Sequence, residues 1–400
     1  MNKKIVVRSS FKDKQNFKEI PELRKGVIEQ APDTPLMGNY AVNSIANFLH
    51  TPNQYLKIKR VFDISRDVKA YTLTPDASRG TAKLAYFRPG QNISISIKIG
   101  NNLYSRPFAI CSSPALSTDD EYVIIVRKKP DGFVSKFIFD NWEKGTEITA
   151  SSPFGYFTYQ TLRDSKNVVA ICDNIGFQPL LSMAEAIKDG TLKINLTLLY
   201  SARKQNEVIM GERFDEIAAS CEGFRIIYVF SDEHVFKCER GFVTKSLIEK
   251  YRPSAKFSIF VSCSPERCNN ILPQLSDLKL ERKYIRFNPI CHVKKGNTYH
   301  DYPKSLSGRL FLCKVIKNGE IVATIPCYSE ETILTAFEKE GFESNSKCRV
   351  GECGFCRATL VDGDVFMPEE MDNRKKAEID YGIIHPCCTY PLSNLVIELN

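Results

Sequence analysis

The chain has 400 residues, 43% of them hydrophobic and 26% charged, with a formal net charge of +8. That length suits two to four domains of roughly 100–200 residues each, and the balance is that of a globular protein rather than a disordered one. No apolar run approaches the roughly 20 residues of a membrane span, and the opening MNKKIVVRSSFKDK offers only residues 5–7 where a secretory signal needs a far longer apolar stretch. The expectation is a cytoplasmic protein with no membrane span. In that compartment fourteen cysteines read as small buried hydrophobes plus a metal site, not as disulfide partners.

Residues 1–50 are polar and basic, carry Pro21, Pro32 and Pro35, and show no sustained periodicity, so they read as an extension. From Tyr55 to about 160 the texture is of short β-rich runs: YLKIKRVFDI, AYTLTPD, QNISISIKIG, EYVIIVRKK and TEITASSP, separated by Gly, Pro, Asp and Ser. This predicts an antiparallel barrel over 51–160. From about 161 to 290 the strands become continuously apolar, NVVAICD, INLTLLYS, FRIIYVFS and FSIFVSC, as in a parallel sheet buried on both faces. The helical stretches between them include PLLSMAEAIKDG, where Leu180, Met183, Ala184 and Ile187 share a face, Pro179 suits a first turn and Gly190 a stop. An α/β domain follows from that alternation. Residues 291–308 read as a linker, and 309–400 form a small terminal domain. The terminal domain carries −5 and residues 1–308 carry +13, which points to two parts docking electrostatically. No basic–aromatic motif marks a nucleic-acid module.

The terminal domain contains CRVGECGFC, with Cys348, Cys353 and Cys356 in an x4, x2 spacing, and HPCCTYPLSNLVIEL about thirty residues later. That is the plant-type [2Fe–2S] spacing, in which one loop supplies three thiolates and a distant segment the fourth. Gly351 and Gly354 let the loop curl and turn amides towards the cluster sulfurs. A structural zinc site more often pairs two Cys knuckles, and only one is present here. Residues 309–400 resemble a plant-type ferredoxin domain, including the closing Tyr-Pro-x-Ser-Asn pattern at 390–394. The resemblance implies an α+β, ubiquitin-like (β-grasp) fold and places the last ligand at Cys387, three residues before the tyrosine. Cys388 then reads as a small buried residue, Cys313 and Cys327 as core, and His385 as a strand-end residue or a partner of the cluster.

SRPFAICSSP at 105–114 resembles the flavin signature Arg-Pro-[Tyr/Phe]-[Ser/Thr] of the ferredoxin–NADP reductase family. Arg106 can pair with a flavin phosphate and Phe108 can offer a face to the isoalloxazine. Where the family carries a hydroxyl this chain has Ala109. DGFVSKFI resembles the Gly-x-x-Ser pyrophosphate loop of FAD-binding members, with Gly132 and Ser135 in place, and PFGYF at 153–157 matches the turn after the barrel in part. The nucleotide half departs further. In CDNIGFQP, Gly176, Gln178 and Pro179 stand in a turn that should face a nicotinamide nucleotide, but Asp173 and Asn174 replace paired glycines that let backbone approach a pyrophosphate. Asp173 is expected to put a like charge beside that phosphate. SCSPERC resembles the family's Cys-Gly-Pro, with Cys263 beside the nicotinamide and Ser264 for Gly, and Asn288 stands where the family has an acidic residue. Arg203 is a candidate phosphate contact.

In order, these parts are similar to the phthalate dioxygenase reductase-like layout. The resemblance implies an oxidoreductase that uses FAD, a [2Fe–2S] cluster and NAD(P)H and passes electrons to a protein acceptor. The alternative is a non-catalytic electron-transfer subunit whose nucleotide site has degenerated.

Overall fold

The computed structural model describes residues 19–20, 22–27, 29–30, 51, 53–130, 132–288 and 294–399. The chain divides into two compact units, Met1–Asn47 and Phe48–Asn400. In the first, residues 19–20, 22–27 and 29 are helical; the rest of the expected extension lies outside the described residues.

The second unit begins with six antiparallel strands: β1 (Asn53–Ser65), β2 (Val68–Pro75), β3 (Asn92–Ile99), β4 (Asn102–Ala109), β5 (Tyr122–Arg127) and β6 (Glu147–Ser151). Their order is β4-β3-β6-β1-β2-β5. A bridge between Ile110 and Ile124 joins the two outer strands and rolls the sheet into a barrel. Alternation drives this: Ile93, Ile95 and Ile97 all enter the barrel core with Leu56, Ile58, Leu73 and Ile148.

β7 (Asn167–Asp173), β8 (Asn195–Ala202), β9 (Phe224–Phe230), β10 (Glu239–Arg240), β11 (Ser258–Ser262) and β12 (Ile285–Phe287) form a parallel sheet in the order β10-β9-β8-β7-β11-β12. Alternate residues of β7 feed different cores. Ala170 and Cys172 pack with the helices Gln178–Lys188 and Gly211–Ser220, and Val169 and Ile171 with Lys245–Tyr251 and Pro265–Ser276. Burial on both faces is why these strands read as unbroken apolar runs. The chain leaves β7 towards β8 and later returns to β11 on its other side. The crevice where α/β sheets bind ligands therefore lies above the ends of β7 and β11.

The last domain has β13 (Leu310–Lys317), β14 (Glu320–Tyr328), β15 (Ala358–Asp362), β16 (Val365–Phe366), β17 (Ile383–Ile384), β18 (Tyr390–Pro391) and β19 (Leu395–Leu399), with the helix Ile333–Lys339 packed on the mixed sheet β14-β13-β19-β15-β17. β13 and β14 turn at Asn318–Gly319, both with positive φ, the geometry of a tight hairpin. The expected linker is built into this domain from Lys294 onward; 291–293 lie outside the described residues. Tyr299 and Tyr302 pack with Phe366 and Tyr390, and the Tyr390 hydroxyl donates to the Lys294 carbonyl at 2.8 Å. Two aromatic anchors in a polar stretch were enough to fasten it.

Candidate functional site

β4 is an outer strand that carries Tyr104, Arg106 and Phe108 at every second position. The Arg106 guanidinium lies 5.8 Å from the centre of the Tyr104 ring, and that ring meets Phe133 edge-on at 5.4 Å. Phe133 follows Gly132, so the arginine and the Gly132–Ser135 loop come together across two aromatic rings. Ser135 Oγ donates to the Gly132 carbonyl (3.0 Å) and accepts from the Lys129 amide (3.1 Å). A Cβ on Gly132 would overlap that hydroxyl, so the turn needs glycine. No side chain caps the start of the helix Phe133–Asn141, the end at which a helix attracts phosphate. Phe108 rests half-buried on the barrel core, and Ala109 ends β4 with only backbone groups to offer. A cation, an open helix start and an aromatic face are the donor set that a flavin dinucleotide requires, and the residues fit that group.

At the β7–β11 crevice the Asp173 carboxylate is held internally by the two turns. It is 4% exposed; one oxygen accepts from the amides of Ile175 (2.9 Å) and Gly176 (3.0 Å), the other from Ser264 (2.8 Å). Asp173 thus fills a nest of N–H groups and fastens the turn after β7 to the turn after β11. Asn174 Oδ1 accepts from the Tyr200 hydroxyl at 2.9 Å, which holds its side chain against β8. At Gly176 a Cβ would overlap the Ser262 carbonyl, so this glycine serves close packing between the two turns. Gln178 and Pro179 open the helix Gln178–Lys188, with Pro179 buried. Arg203 stands 64% exposed, paired with Asp232 at 2.9 Å. Asn288 Nδ2 donates to Ser262 Oγ at 3.0 Å.

Cys263 follows β11, buried, with Sγ 3.6 Å from the Ile171 carbonyl. The adjoining Cys268 thiol and burial push it well above the ordinary thiol range, so it remains a neutral thiol. It lines a cavity of about 20 Å³ with Ser201, Phe242 and Arg267. Arg267 was not legible as a site residue in the sequence. Its Nη1 donates to Ser201 Oγ at 2.8 Å and its Nε lies 3.9 Å from Asp173, which places a cation at the crevice. Its place in the first turn after the Cys-Ser-Pro turn was the available signal. The crevice thus holds Arg267 beside Asp173, while the amides of its two turns serve the Asp173 carboxylate.

In the terminal domain Arg349, Gly351 and Gly354 all have positive φ and curl the loop 348–356. A Cβ on Gly351 would overlap Cys388 Sγ and the Met371 carbonyl. The Cys353 amide donates to Cys348 Sγ at 3.4 Å and the Phe355 amide to Cys353 Sγ at 3.5 Å, as amides do around cluster sulfurs. Cys348 adjoins both Cys353 and Cys387, and Cys356 adjoins Cys387, so the four expected ligands stand together. Among the described residues no three His, Cys, Asp or Glu side chains close on the ligand shell of a single ion; a two-iron cluster takes thiolates spread around it. Cys388 Sγ turns to the His385 carbonyl at 3.5 Å. His385 is buried and held neutral first by burial, so the imidazole Nδ1–H donates to the Gly351 carbonyl at 2.9 Å and braces the loop.

The loop also reaches the barrel. Arg106 Nη1 donates to both oxygens of Glu338 at 3.0 Å, Arg349 Nη1 to Glu338 Oε1 at 2.6 Å, and the Ser105 amide to the same oxygen at 3.0 Å.

Three family models match the chain in succession: the oxidoreductase FAD-binding domain over residues 55–159, the oxidoreductase NAD-binding domain over 171–269, and the 2Fe-2S iron-sulfur cluster binding domain over 315–392. The chain is similar to the glycine betaine monooxygenase reductase subunit of Chromohalobacter salexigens, 25% identical over 79% of this chain and 88% of the relative. It is also similar to the ferredoxin reductase component of the 3-ketosteroid-9-alpha-monooxygenase of Mycobacterium tuberculosis, 24% identical over 78% and 84%. Among solved structures, phthalate dioxygenase reductase superposes with a TM-score of 0.63 at 19% identity, over 87% of this chain and 98% of that one.

Proposed function

We propose, for a chain that is an oxidoreductase with FAD-binding, NAD-binding and [2Fe–2S] domains in the phthalate dioxygenase reductase-like layout, that it takes electrons from NAD(P)H and delivers them to a protein acceptor. By the pattern of its relatives the acceptor is an oxygenase component. The observation that carries this reading is the docking of the cysteine loop on the strand that bears Arg106, which sets a candidate one-electron site against a candidate flavin site. A bound flavin supplies the two-to-one electron conversion between a hydride donor and a one-electron cluster. Around it, Arg106, already bound to Glu338 through Nη1, would contact a phosphate, Phe108 would offer its face to the ring system, and the uncapped helix start after the Gly132–Ser135 turn would take the pyrophosphate. Arg267 supplies positive charge to the nucleotide crevice. Cys263, a buried neutral thiol, contributes shape beside the nicotinamide rather than a nucleophile. Cys348, Cys353, Cys356 and Cys387 hold the cluster. No proton relay is required.

The second reading, an electron-transfer subunit fed by a protein donor, is favoured by one observation, the Asp173 carboxylate on the amides of the crevice. Anaerobic titration with NADH and NADPH, followed by bleaching of the flavin, separates the two. Bleaching by either nucleotide supports the reductase; bleaching by dithionite alone supports the subunit. The cytoplasm belongs to the same proposal, a compartment in which thiols stay reduced; none of the thirteen described cysteines is paired in a disulfide. No described helix is long and apolar enough to cross a membrane.

A further inference from the structure

Glu338 lies in the last turn of the helix Ile333–Lys339, and its side chain is 5% exposed between two arginines. Arg349, 1% exposed, comes from the cysteine loop, immediately after Cys348; Arg106, 27% exposed, comes from β4 of the barrel. Each arginine also touches the Ser105 carbonyl, at 3.4 and 2.8 Å. The Ser105 amide completes the set on Glu338 Oε1. Beside this cluster, Asn102 Nδ2 donates to the Lys339 carbonyl at 2.6 Å and Ser105 Oγ to the Ser346 carbonyl at 3.4 Å.

We propose that Glu338 is a positioning residue that fixes the cysteine loop against the flavin strand, by holding Arg349 of the loop and Arg106 of the barrel on one carboxylate. The part of the inference that concerns flavin rests on the reading of Arg106 given above. The geometry favours a single arrangement. A charge-assisted pair is directional, and a carboxylate shared by two guanidinium groups and an edge-strand amide has little freedom to slide. Moving the loop by one residue along β4 would keep the Glu338–Arg349 pair, since both lie in the terminal domain, but would take Arg106 and the Ser105 amide away from a buried carboxylate, a costly loss. The left-handed backbone at Arg349, φ 59°, is the local concession that aims its side chain at Glu338 instead of away from the cluster loop.

The test is Glu338→Gln, which keeps the shape and removes the charge, read by hydrogen–deuterium exchange on the full chain. Residues 102–106 and 341–349 are expected to exchange faster by about tenfold or more, as the loss of charge-assisted bonds implies. The hairpin β13–β14 should be unaffected, and iron content, the cluster's electron paramagnetic resonance and flavin content should be retained. In the loaded protein, photoreduced through a deazaflavin, electron arrival at the cluster should slow by a similar factor. Unchanged exchange in both segments overturns the proposal. So does acceleration spread evenly through the terminal domain, which would make Glu338 a residue of general fold stability. If Glu338→Gln does not fold, Arg106→Gln decides: it takes the barrel's arm from the shared carboxylate, leaves the Glu338–Arg349 pair in place, and should speed exchange in the same two segments. No change there overturns the proposal. A natural protein without flavin, but with exchange that responds to Glu338→Gln, would leave the docking role standing and remove the flavin reading.

Discussion

At the scale of single residues, the sharpest expectation concerns adjacent cysteines. Cys387 adjoins Cys348, Cys356 and its neighbour Cys388, while Cys388 Sγ turns to the His385 carbonyl and fills the space beneath Gly351. Cys387→Ser should therefore abolish or distort the cluster's optical and magnetic signals, and Cys388→Ser should leave about two irons and two labile sulfides per chain. The opposite pattern would move the ligand by one position. Arg106→Ala removes a charge-assisted phosphate contact worth about 1.5–3 kcal/mol, hence one to two decades of FAD affinity by equilibrium dialysis. Released flavin should be FAD; FMN would contradict the role given to Gly132 and Ser135. Arg106 was legible in its motif because arginine, proline and an aromatic residue stand together. Its partner was not, since Glu338 lies 232 residues away and nothing in AFEKEG distinguishes it from a solvated acid. The one hint was Arg349 itself, a charge inside a loop that the cysteines oblige to be buried.

At the scale of elements, the strands were the legible part because burial writes itself into period. Ile93, Ile95 and Ile97 alternate with serines in the barrel, and Val168 through Cys172 run unbroken in the sheet buried on two faces. Turns were harder, because their meaning depends on what a distant segment donates. Asp173 looked like an intruding charge, yet its acceptor oxygens belong to an amide 91 residues on as much as to its own turn. The consequence for Asp173→Gly with Asn174→Gly is twofold. Loss of the carboxylate releases the amides of Ile175, Gly176 and Ser264 and removes a charge from the crevice, so NAD(P)H should bind more tightly. Loss of the same bonds unfastens the turns after β7 and β11, at a cost of about 1.5–3 kcal/mol in unfolding free energy. Tighter binding measured by fluorescence titration, with a lower melting temperature, is the expected pair. A lower melting temperature with unchanged affinity would make Asp173 scaffold alone.

At the scale of the whole molecule, the contrast of a basic body with an acidic terminal domain suggested docking by broad charge attraction. The interface is built otherwise. Among the described residues, the ion pair between the barrel and the terminal domain joins Arg106 to Glu338, which also holds Arg349 of its own acidic domain, and Glu338 and Arg349 are withdrawn from water. Neutral hydrogen bonds from Asn102 and Ser105 lie beside them. Attraction between exposed surfaces is screened beyond a Debye length of about 10 Å at 0.1 M salt and about 3 Å at 1 M, whereas a buried pair is screened far less. Raising potassium chloride from 0.05 to about 0.5 M should therefore leave hydrogen exchange in residues 102–106 and 341–349 unchanged within a factor of about two. Binding of a protein acceptor through exposed charges should weaken over the same range, because encounters between oppositely charged surfaces are steered by the field that salt removes. Should exchange in the two segments rise steeply with salt instead, the domains would be held by their net charges after all, and the carboxylate at 338 would be one contributor among many.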